Sequence, residues 1–507
     1  MALKGTATIE LTDVRTGRKE VIKHDNLVTN AVSDIFGYNP LGFRFGNFTP
    51  SDGVVSTDFR SYAFPIHKNL IGGLLLYGEP LKADSNAYYA DDDNPLIGYS
   101  SNDVNASEDA MRGSLNPNES GPLSDGNGYR YVFDFTTAQA NGTISSLGLT
   151  SSYAGKAGHG STFVGEPTHI ATAMYAEYKI TTENKWNTHI RRIAAITSID
   201  ADANIGYFAR VISANTIEVG KIRLPLTQIS LMDNINTFPP DAYDVHTITT
   251  AEFCKVFETS NYNYSTLIDG GDGYIWGFQH KDNAAGNSSG NATVLWVKIR
   301  KSDWTFTEGQ WTIPARLYPF GKYYTADTIS GTTATANYSI IKDGALYAIE
   351  YTSDVYMGGV HKIPLDNPAD VTTLRSKTRY VFLPDTYTAS DGMYRPTSTA
   401  VNEIAGVISY RYMYIENGEL KIRSSGSHDT YKRRMGFMGV GKPGLRVGPY
   451  LLGLGISFYN SSISYGARWS PSVFLPTCYL ATINNLETPV TKTPDKFMKI
   501  IYIIREE

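Results

Sequence analysis

Three stretches share one design: Asp272-Gly-Tyr-Ile-Trp-Gly-Phe, Asp343-Gly-Ala-Leu-Tyr-Ala-Ile-Glu and Asn417-Gly-Glu-Leu-Lys-Ile-Arg. Ala201-Asp-Ala-Asn-Ile-Gly-Tyr-Phe-Ala-Arg is a looser version of it. Each sets an Asp or Asn turn before an alternating apolar run, the pattern of a strand entered from a tight turn. A second strand often follows, as in Thr293-Val-Leu-Trp-Val-Lys-Ile-Arg and Gly359-Val-His-Lys-Ile-Pro-Leu. Asp272 and Asp343 stand 71 residues apart, and Asp343 and Asn417 stand 74 apart. Quasi-periodic strand content with almost no helical periodicity predicts a β-propeller-like domain, in which each blade buries its faces against its neighbours. A β-sandwich whose hairpins merely share turn chemistry is the competing reading. Blade number stays open, because one such repeat is long enough for one elaborate blade or two lean ones.

The chain ends have a different flavour. Residues 6–23 alternate apolar and polar on both sides of an Arg-Thr-Gly break, which predicts a β-hairpin. Leu27, Val28, Ala31, Val32, Ile35 and Phe36 then form a stripe at helical spacing that Gly37 would stop. Residues 39–65 and 82–130 are rich in Asn, Asp, Ser, Gly and Pro, and little beyond the run Gly72–Tyr77 suggests a strand there. Tyr131-Val-Phe-Asp-Phe-Thr-Thr and Gly142-Thr-Ile-Ser-Ser-Leu-Gly-Leu-Thr predict two more strands. So do Tyr479-Leu-Ala-Thr-Ile-Asn-Asn-Leu and Lys496-Phe-Met-Lys-Ile-Ile-Tyr-Ile-Ile-Arg, around a polar turn expected at Glu487 to Pro494. A C-terminal strand this apolar needs a partner sheet, and the N-terminal hairpin is the obvious one. The expected fold is therefore mainly β. A β-rich domain is built from both chain ends (1–184 and 471–507), with a β-propeller-like domain inserted at 185–470.

Composition narrows the function classes. The 507 residues include 45 basic and 50 acidic ones, so the formal net charge is −5 and no basic footprint marks a nucleic-acid partner. Charged residues make up only 19%, whereas Tyr (35) and Gly (46) abound, a balance suited to extended β architecture. No run approaches the ~18 apolar residues of a membrane span. The N-terminus lacks a hydrophobic signal core, so synthesis in the cytoplasm is expected. Cys254 and Cys478 are too few for a cysteine metal site or a disulfide scaffold, and they are expected as small buried residues.

Motifs that could carry chemistry do not survive their context. Gly286-Asn-Ser288-Ser-Gly290 has the nucleophile-elbow spacing but lies in an Asn/Gly/Ser loop between two strands, not between strand and helix. Gly439-Val-Gly441-Lys-Pro-Gly444 has dinucleotide-loop spacing, and Pro443 with no helical stripe beyond it makes it a turn. Asp200-Ala-Asp202-Ala-Asn204 begins like a calcium loop but lacks the Gly and Glu at their positions. Asp91-Asp92-Asp93-Asn94 reads as a solvated acidic loop. The nine histidines show no zinc spacing. No cofactor and no metal is therefore expected.

Glycoside hydrolysis needs two carboxylates across the scissile bond. Asp269, Asp272, Asp343, Glu350 and Glu416 could converge from different blades, although Asp before Gly is also ordinary turn chemistry. Aromatic side chains are the more distinctive feature. Trp276, Trp296, Trp304 and Trp311 cluster near Tyr274. For any single one a core position is the better reading, and stacking on the apolar face of a sugar is the alternative.

The terminal segments resemble a family. Residues 8–32, beginning Thr-Ile-Glu-Leu-Thr-Asp-Val-Arg-Thr-Gly, are similar to the start of tail-tip and baseplate-region proteins of phages and phage-like particles of Gram-positive bacteria. The likeness continues in Gly72-Gly-Leu-Leu-Leu-Tyr, in Gly113-Ser-Leu-Asn-Pro-Asn-Glu-Ser and in Phe133-Asp-Phe-Thr-Thr-Ala-Gln-Ala-Asn-Gly-Thr-Ile. It ends with Leu480-Ala-Thr-Ile-Asn-Asn-Leu-Glu-Thr-Pro-Val-Thr-Lys-Thr-Pro-Asp-Lys-Phe-Met-Lys. It covers about 200 residues at both ends and skips most of the middle. The resemblance implies a structural place in a virion tail, with other tail or baseplate proteins as partners, homo-oligomeric assembly in the host cytoplasm and no enzymatic role of its own. Shared ends around a different middle suit an adhesin that reads a bacterial surface polysaccharide. A glycosidase that trims this polysaccharide, or a purely architectural subunit, are the alternatives.

Overall fold

The computed structural model describes residues 3–31, 66–91, 93–152, 154, 167–172, 176–179, 188, 192–193, 195–200, 203, 205–223, 241–254, 262–263, 266–281, 290–324, 336–351, 359–375, 386–388, 394–396, 402–404, 407–409, 413–416, 418–422, 445–447, 450–461, 464–476 and 478–506. It is mainly β, and the one described helix with named bounds is the single turn Ile66–Asn69. The chain divides into two compact units, one gathering both ends and the other running from Thr172 to Val473.

In the first unit both ends enter one 10-stranded sheet. The hairpin Leu3–Asp13 and Lys19–Val28 forms as its alternation predicts, with Ile9 opposite Ile22. The C-terminal strand Lys496–Glu506 pairs antiparallel along the whole of Leu3–Asp13, from Leu3 opposite Glu506 to Asp13 opposite Lys496. Its other edge takes Gly128–Phe135. Alternation then decides what is inside: Ala7, Ile9 and Leu11 meet Met498, Ile500, Tyr502 and Ile504, all buried, beside Tyr131, Phe133 and Phe135. The sheet continues from Lys19–Val28 through Thr482–Lys492, Gly142–Thr150 and Gly73–Tyr77 to Leu96–Ser100. There it bends back on itself. Tyr99 N–H donates to Met111 O at 2.9 Å and Gly113 N–H to Tyr99 O at 2.8 Å, just before the strand Ser114–Leu115 at the opposite end of the sheet. The result is a near-closed barrel.

Three expectations for this unit are corrected. Asn26 to Val28 finish a strand instead of opening a helix, because Leu27 and Val28 pair with Ile483 and Thr482; residues 32–36 lie outside the described residues. The polar run from Glu487 is not a turn. It continues the strand Thr482–Lys492 across a register shift between Asn485 and Val490 that accommodates Pro489, and the reversal comes at Thr493 to Asp495. Leu96–Ser100, inside the turn-rich stretch, is a strand.

The second unit holds four sheets of four strands, each a consecutive antiparallel meander. The first comprises Ile196–Asp200, Ile205–Ser213, Thr216–Arg223 and Tyr243–Thr249. The second comprises Thr266–Asp269, Tyr274–His280, Ala292–Arg300 and Phe306–Ile313. The third is Ile340–Lys342, Ala345–Ile349, Val360–Pro364 and Thr372–Leu374. The fourth is Asn402–Ile404, Val407–Ser409, Met413–Glu416 and Glu419–Ile422. Each repeat of the sequence is thus one sheet. Another sheet joins the two ends of the unit: Ala176–Lys179 pairs with Ser464–Pro476, beside Tyr450–Ser461 and Leu445–Val447.

The shared turns have an identifiable geometry. Asp343 and Gly344 both take positive φ, 50° and 70°, between the paired Lys342 and Ala345, which is the type I′ hairpin that Asp-Gly favours. Asp272-Gly273 ends a longer connection between the equivalent strands of the second sheet. Gly418 departs from the repeat, since it precedes the fourth strand of its sheet and not the second, and Asn417 lies outside the described residues.

The second and third sheets bury both faces. On the second sheet, Leu267, Ile275, Leu295, Val297 and Ile299 pack with Ala209, Ile217, Val219 and Ile248 of the first. Its opposite face, with Ile268, Trp276, Phe278 and Val294, packs with Ile341, Leu346, Ala348 and Ile363 of the third. The third in turn packs Tyr347, Ile349 and Val360 against Ile408, Ile415 and Leu420 of the fourth. A sheet covered on two sides reads as a near-continuous apolar run, which is why Tyr274–His280 is buried from Ile275 onward.

Candidate functional site

Loop chemistry builds one cleft in the second unit. The first and second strands of the second sheet are joined by Gly270 to Gly273. Gly271 and Gly273 take φ of 72° and 83°, conformations that cost a Cβ-bearing residue free energy. Asp269 Oδ1 accepts from Gly271 N–H at 3.2 Å and Asp272 Oδ1 from Tyr274 N–H at 3.1 Å, so both carboxylates are held by their own loop. The turn after the third strand carries Arg300, Lys301 and Ser302 to the same end of the sheet, tied there by Lys301 N–H to Gly273 O at 3.0 Å. The first sheet contributes Ser198, Ile199 and Asp200 from its first strand and Tyr207 from its second. These residues enclose an open cleft of about 560 Å³.

Every carboxylate in the cleft already has a partner. Lys301 Nζ lies 2.7 Å from Asp269 and Lys298 Nζ lies 3.2 Å from Asp272. Asp200 Oδ1 accepts from Ala203 N–H at 2.9 Å. Arg300 donates from Nε to Tyr274 OH at 3.1 Å and from Nη1 to Asp303 at 3.1 Å. The cations also lie over rings: Lys298 Nζ is 4.1 Å from the Tyr274 centroid and Lys301 Nζ is 5.5 Å from that of Tyr207. Burial, then the nearby Asp200 carboxylate, pushes the Tyr207 phenol above its ordinary pKa, so it stays a neutral hydroxyl. The arrangement offers half-buried aromatic surface, hydroxyls and fixed charges of both signs.

The five aromatic candidates separate by burial. Trp276 is 6% exposed and Trp304 5%, and both belong to the packing between sheets. Trp304 Nε1–H donates to Asp244 Oδ2 at 3.1 Å, and Lys221, His246 and the indole together hold that carboxyl down to about 2. Trp296 and Trp311 are half-buried on the face toward the third sheet, their ring centroids 5.6 Å apart and 5.8 and 6.1 Å from Trp276. Trp296 Nε1 is buried without a hydrogen-bond partner. Tyr274, half-buried, is the member of the set that lines the cleft.

The carboxylate candidates scatter. Asp269 and Asp272 share the cleft. Asp343 sits in the type I′ turn beside Lys342 at 3.2 Å. Glu350 makes a two-pronged pair with Arg375, 2.7 Å on each arm. Glu416 ends the strand Met413–Glu416 of the fourth sheet. Asp200 and Tyr207 are the residues sequence reasoning missed. Asp200 had been noticed only as half a calcium loop, and its position at the end of a first strand was the available signal. Gly286 to Ser289 and Gly439 to Gly444 lie outside the described residues, as do Asp92, Asp202 and Asn204. Both cysteines are buried thiols, as expected. Among the described residues no cluster of His, Cys, Asp and Glu could hold a metal, and no helix is long and apolar enough to cross a membrane.

No family model matches the chain, and no curated protein matches it. Among solved structures, a family 117 glycoside hydrolase from the marine bacterium Zobellia galactanivorans is similar at 9% identity, over 60% of this chain and 92% of that one, with a TM-score of 0.21. A likeness at that level carries no statement about activity.

Proposed function

We propose that this chain is a tail-tip or receptor-binding subunit of a phage or phage-like particle, and that its second unit binds a bacterial surface polysaccharide without cleaving it. The cleft between the first two meanders is the observation that carries the reading. Tyr207 and Tyr274 offer ring faces and hydroxyls for a saccharide, while Asp269 and Asp272 are each engaged by a lysine ammonium group. Glycoside cleavage needs a protonated carboxyl on one side of the bond. A virion location rests on the resemblance of the terminal segments, and the barrel woven from both chain ends suits an attachment module that displays an inserted domain.

We also infer a five-bladed propeller for the second unit. Edge strands of successive sheets approach one another in a closed order: Ile196–Asp200 beside Thr266–Asp269, then Ile340–Lys342, Asn402–Ile404 and Leu445–Val447, which returns to Ile196–Asp200. The mixed sheet from both ends of the unit would close that ring.

Co-sedimentation of the protein with host wall polysaccharide, with and without Tyr274→Ala, tests binding. Loss of binding at an unchanged melting temperature supports the cleft. Release of reducing ends, abolished by Asp269→Asn or Asp272→Asn, would overturn the binding-only reading in favour of the glycosidase, which two carboxylates in one cleft keep in play. Undiminished binding by a Tyr207→Ala, Tyr274→Ala double variant would place the ligand elsewhere.

A further inference from the structure

Among the described residues the barrel has an open seam. Lys19–Val28 joins Thr482–Lys492 only through Leu27 opposite Ile483 and Val28 opposite Thr482. Toward the hairpin turn, among the described residues, no strand pairs with the outer edge of Lys19 to Asn26. Side chains bridge the start of the gap: Asn484 Nδ2 donates to Asp25 O at 3.2 Å, and His24 Nε2 lies 3.9 Å from Glu487. Hydrogen-bond parity shows which groups face it. Asp13 N–H donates to Arg18 O at 3.0 Å, so the bonded pairs of the hairpin are Asp13–Arg18, Leu11–Glu20, Ile9–Ile22 and Ala7–His24. Lys19, Val21 and Lys23 therefore turn their N–H and C=O groups to the open edge. Val21 is also 51% exposed. An edge of this kind is a template for strand addition.

We propose that this edge pairs antiparallel with the same edge of a second copy of this chain, about a two-fold axis at Ile22. Charge selects both the occupant and the register. With the axis at Ile22, Lys19 faces the partner's Asp25 and Glu20 faces the partner's His24. Val21 and the partner's Lys23 exchange backbone hydrogen bonds, as do their two-fold mates, and Ile22 lies against the partner's Ile22. Moving the axis to Val21 sets Lys19 against the partner's Lys23. Moving it to Lys23 opposes two lysines and demands Leu27, which Ile483 already holds. Like charges directly opposite one another destabilise a pair of strands. The sequence Lys-Glu-Val-Ile-Lys-His-Asp is thus complementary to itself in one register, and a two-fold contact is closed, so it ends at a dimer.

Sedimentation velocity on the full chain over a micromolar concentration series tests this. The wild type is expected to sediment as a concentration-dependent dimer. Val21→Pro removes an edge N–H that the barrel does not use, so it should give a monomer with a nearly unchanged melting temperature. Lys19→Asp alone should weaken association about tenfold, because the opposed pair occurs twice across the axis. Adding Asp25→Lys should restore it. This exchange carries the test should the proline variant fail to fold. A wild-type monomer at every concentration, self-association untouched by Val21→Pro, or a double exchange no tighter than Lys19→Asp alone would each overturn the proposal.

Discussion

Replacing Trp276 by alanine separates packing from ligand binding. The indole is 6% exposed, lies 5.9 Å from Phe278 and about as far from Trp296 and Trp311, and sits in the core between the second and third sheets. A tryptophan side chain buries roughly 150–250 Å². At about 25 cal/mol per Å² that burial contributes about 4–6 kcal/mol as an upper bound. Truncations of buried tryptophan cost about 3–5 kcal/mol once partial collapse of the cavity is included. The long bond from Trp276 Nε1 to Asp272, 3.4 Å, adds little. A loss of about 4 kcal/mol is therefore expected. In a cooperative unit of this size each kcal/mol moves the midpoint by about 2–3 °C, so scanning calorimetry should show the second unit melting about 10 °C lower. Trp276→Phe, which keeps most of the apolar contact, should lower it by less than half as much. A Trp276→Ala midpoint within about 2 °C of the wild type would refute the packing on which this argument rests.

Burial pushes the Lys492 ammonium down from its ordinary 10.5 to about 8, with Asn141 Oδ1 at 2.8 Å its nearest acceptor. The folded state therefore binds fewer protons than the unfolded chain between those values. Stability should rise with pH from about 8 to about 10.5 and change little from this group below that, a slope that Lys492→Met abolishes; parallel curves for the two proteins would refute it. Glu218 accepts from Arg192 at 2.7 and 3.0 Å and from Arg210 at 2.6 Å. Burial raises its pKa, but the two guanidinium groups outweigh burial and hold it below the usual carboxylate range. Its contribution is present above the ordinary carboxylate pKa and lost as pH falls through the lowered one. Glu218→Gln, which leaves two half-buried cations without their counter-charge, should cost about 2 kcal/mol in urea unfolding at neutral pH. Deleting residues 495–507 removes the strand between Leu3–Asp13 and Gly128–Phe135, and the truncated chain is expected to be insoluble; a soluble product with an intact melting transition would contradict this.

Local chemistry alone determined a good deal of this protein. Alternation in Thr6 to Lys23 and in Lys496 to Arg505 marks strands whose inner faces are apolar, and an apolar terminal strand demands a neighbour, so the union of the chain ends was legible. The Asp343-Gly344 turn was legible too, because few residue pairs accept two positive φ values in succession. Tertiary structure decided the rest. Leu27 and Val28 fit a helical stripe as well as a strand, and only pairing with Ile483 and Thr482 settles which one forms. Trp276 and Tyr274 stand two residues apart on the same strand and the same face, yet Trp276 is sealed in the core toward the third sheet while Tyr274, at the start of the strand, is only half covered and reaches the cleft. Asp200 and Tyr207 meet Asp269 and Asp272 only because two meanders lie face to face. Spacing along a chain fixes periodicity within an element; which loops of different elements share a cleft depends on packing between sheets, and no local pattern encodes it.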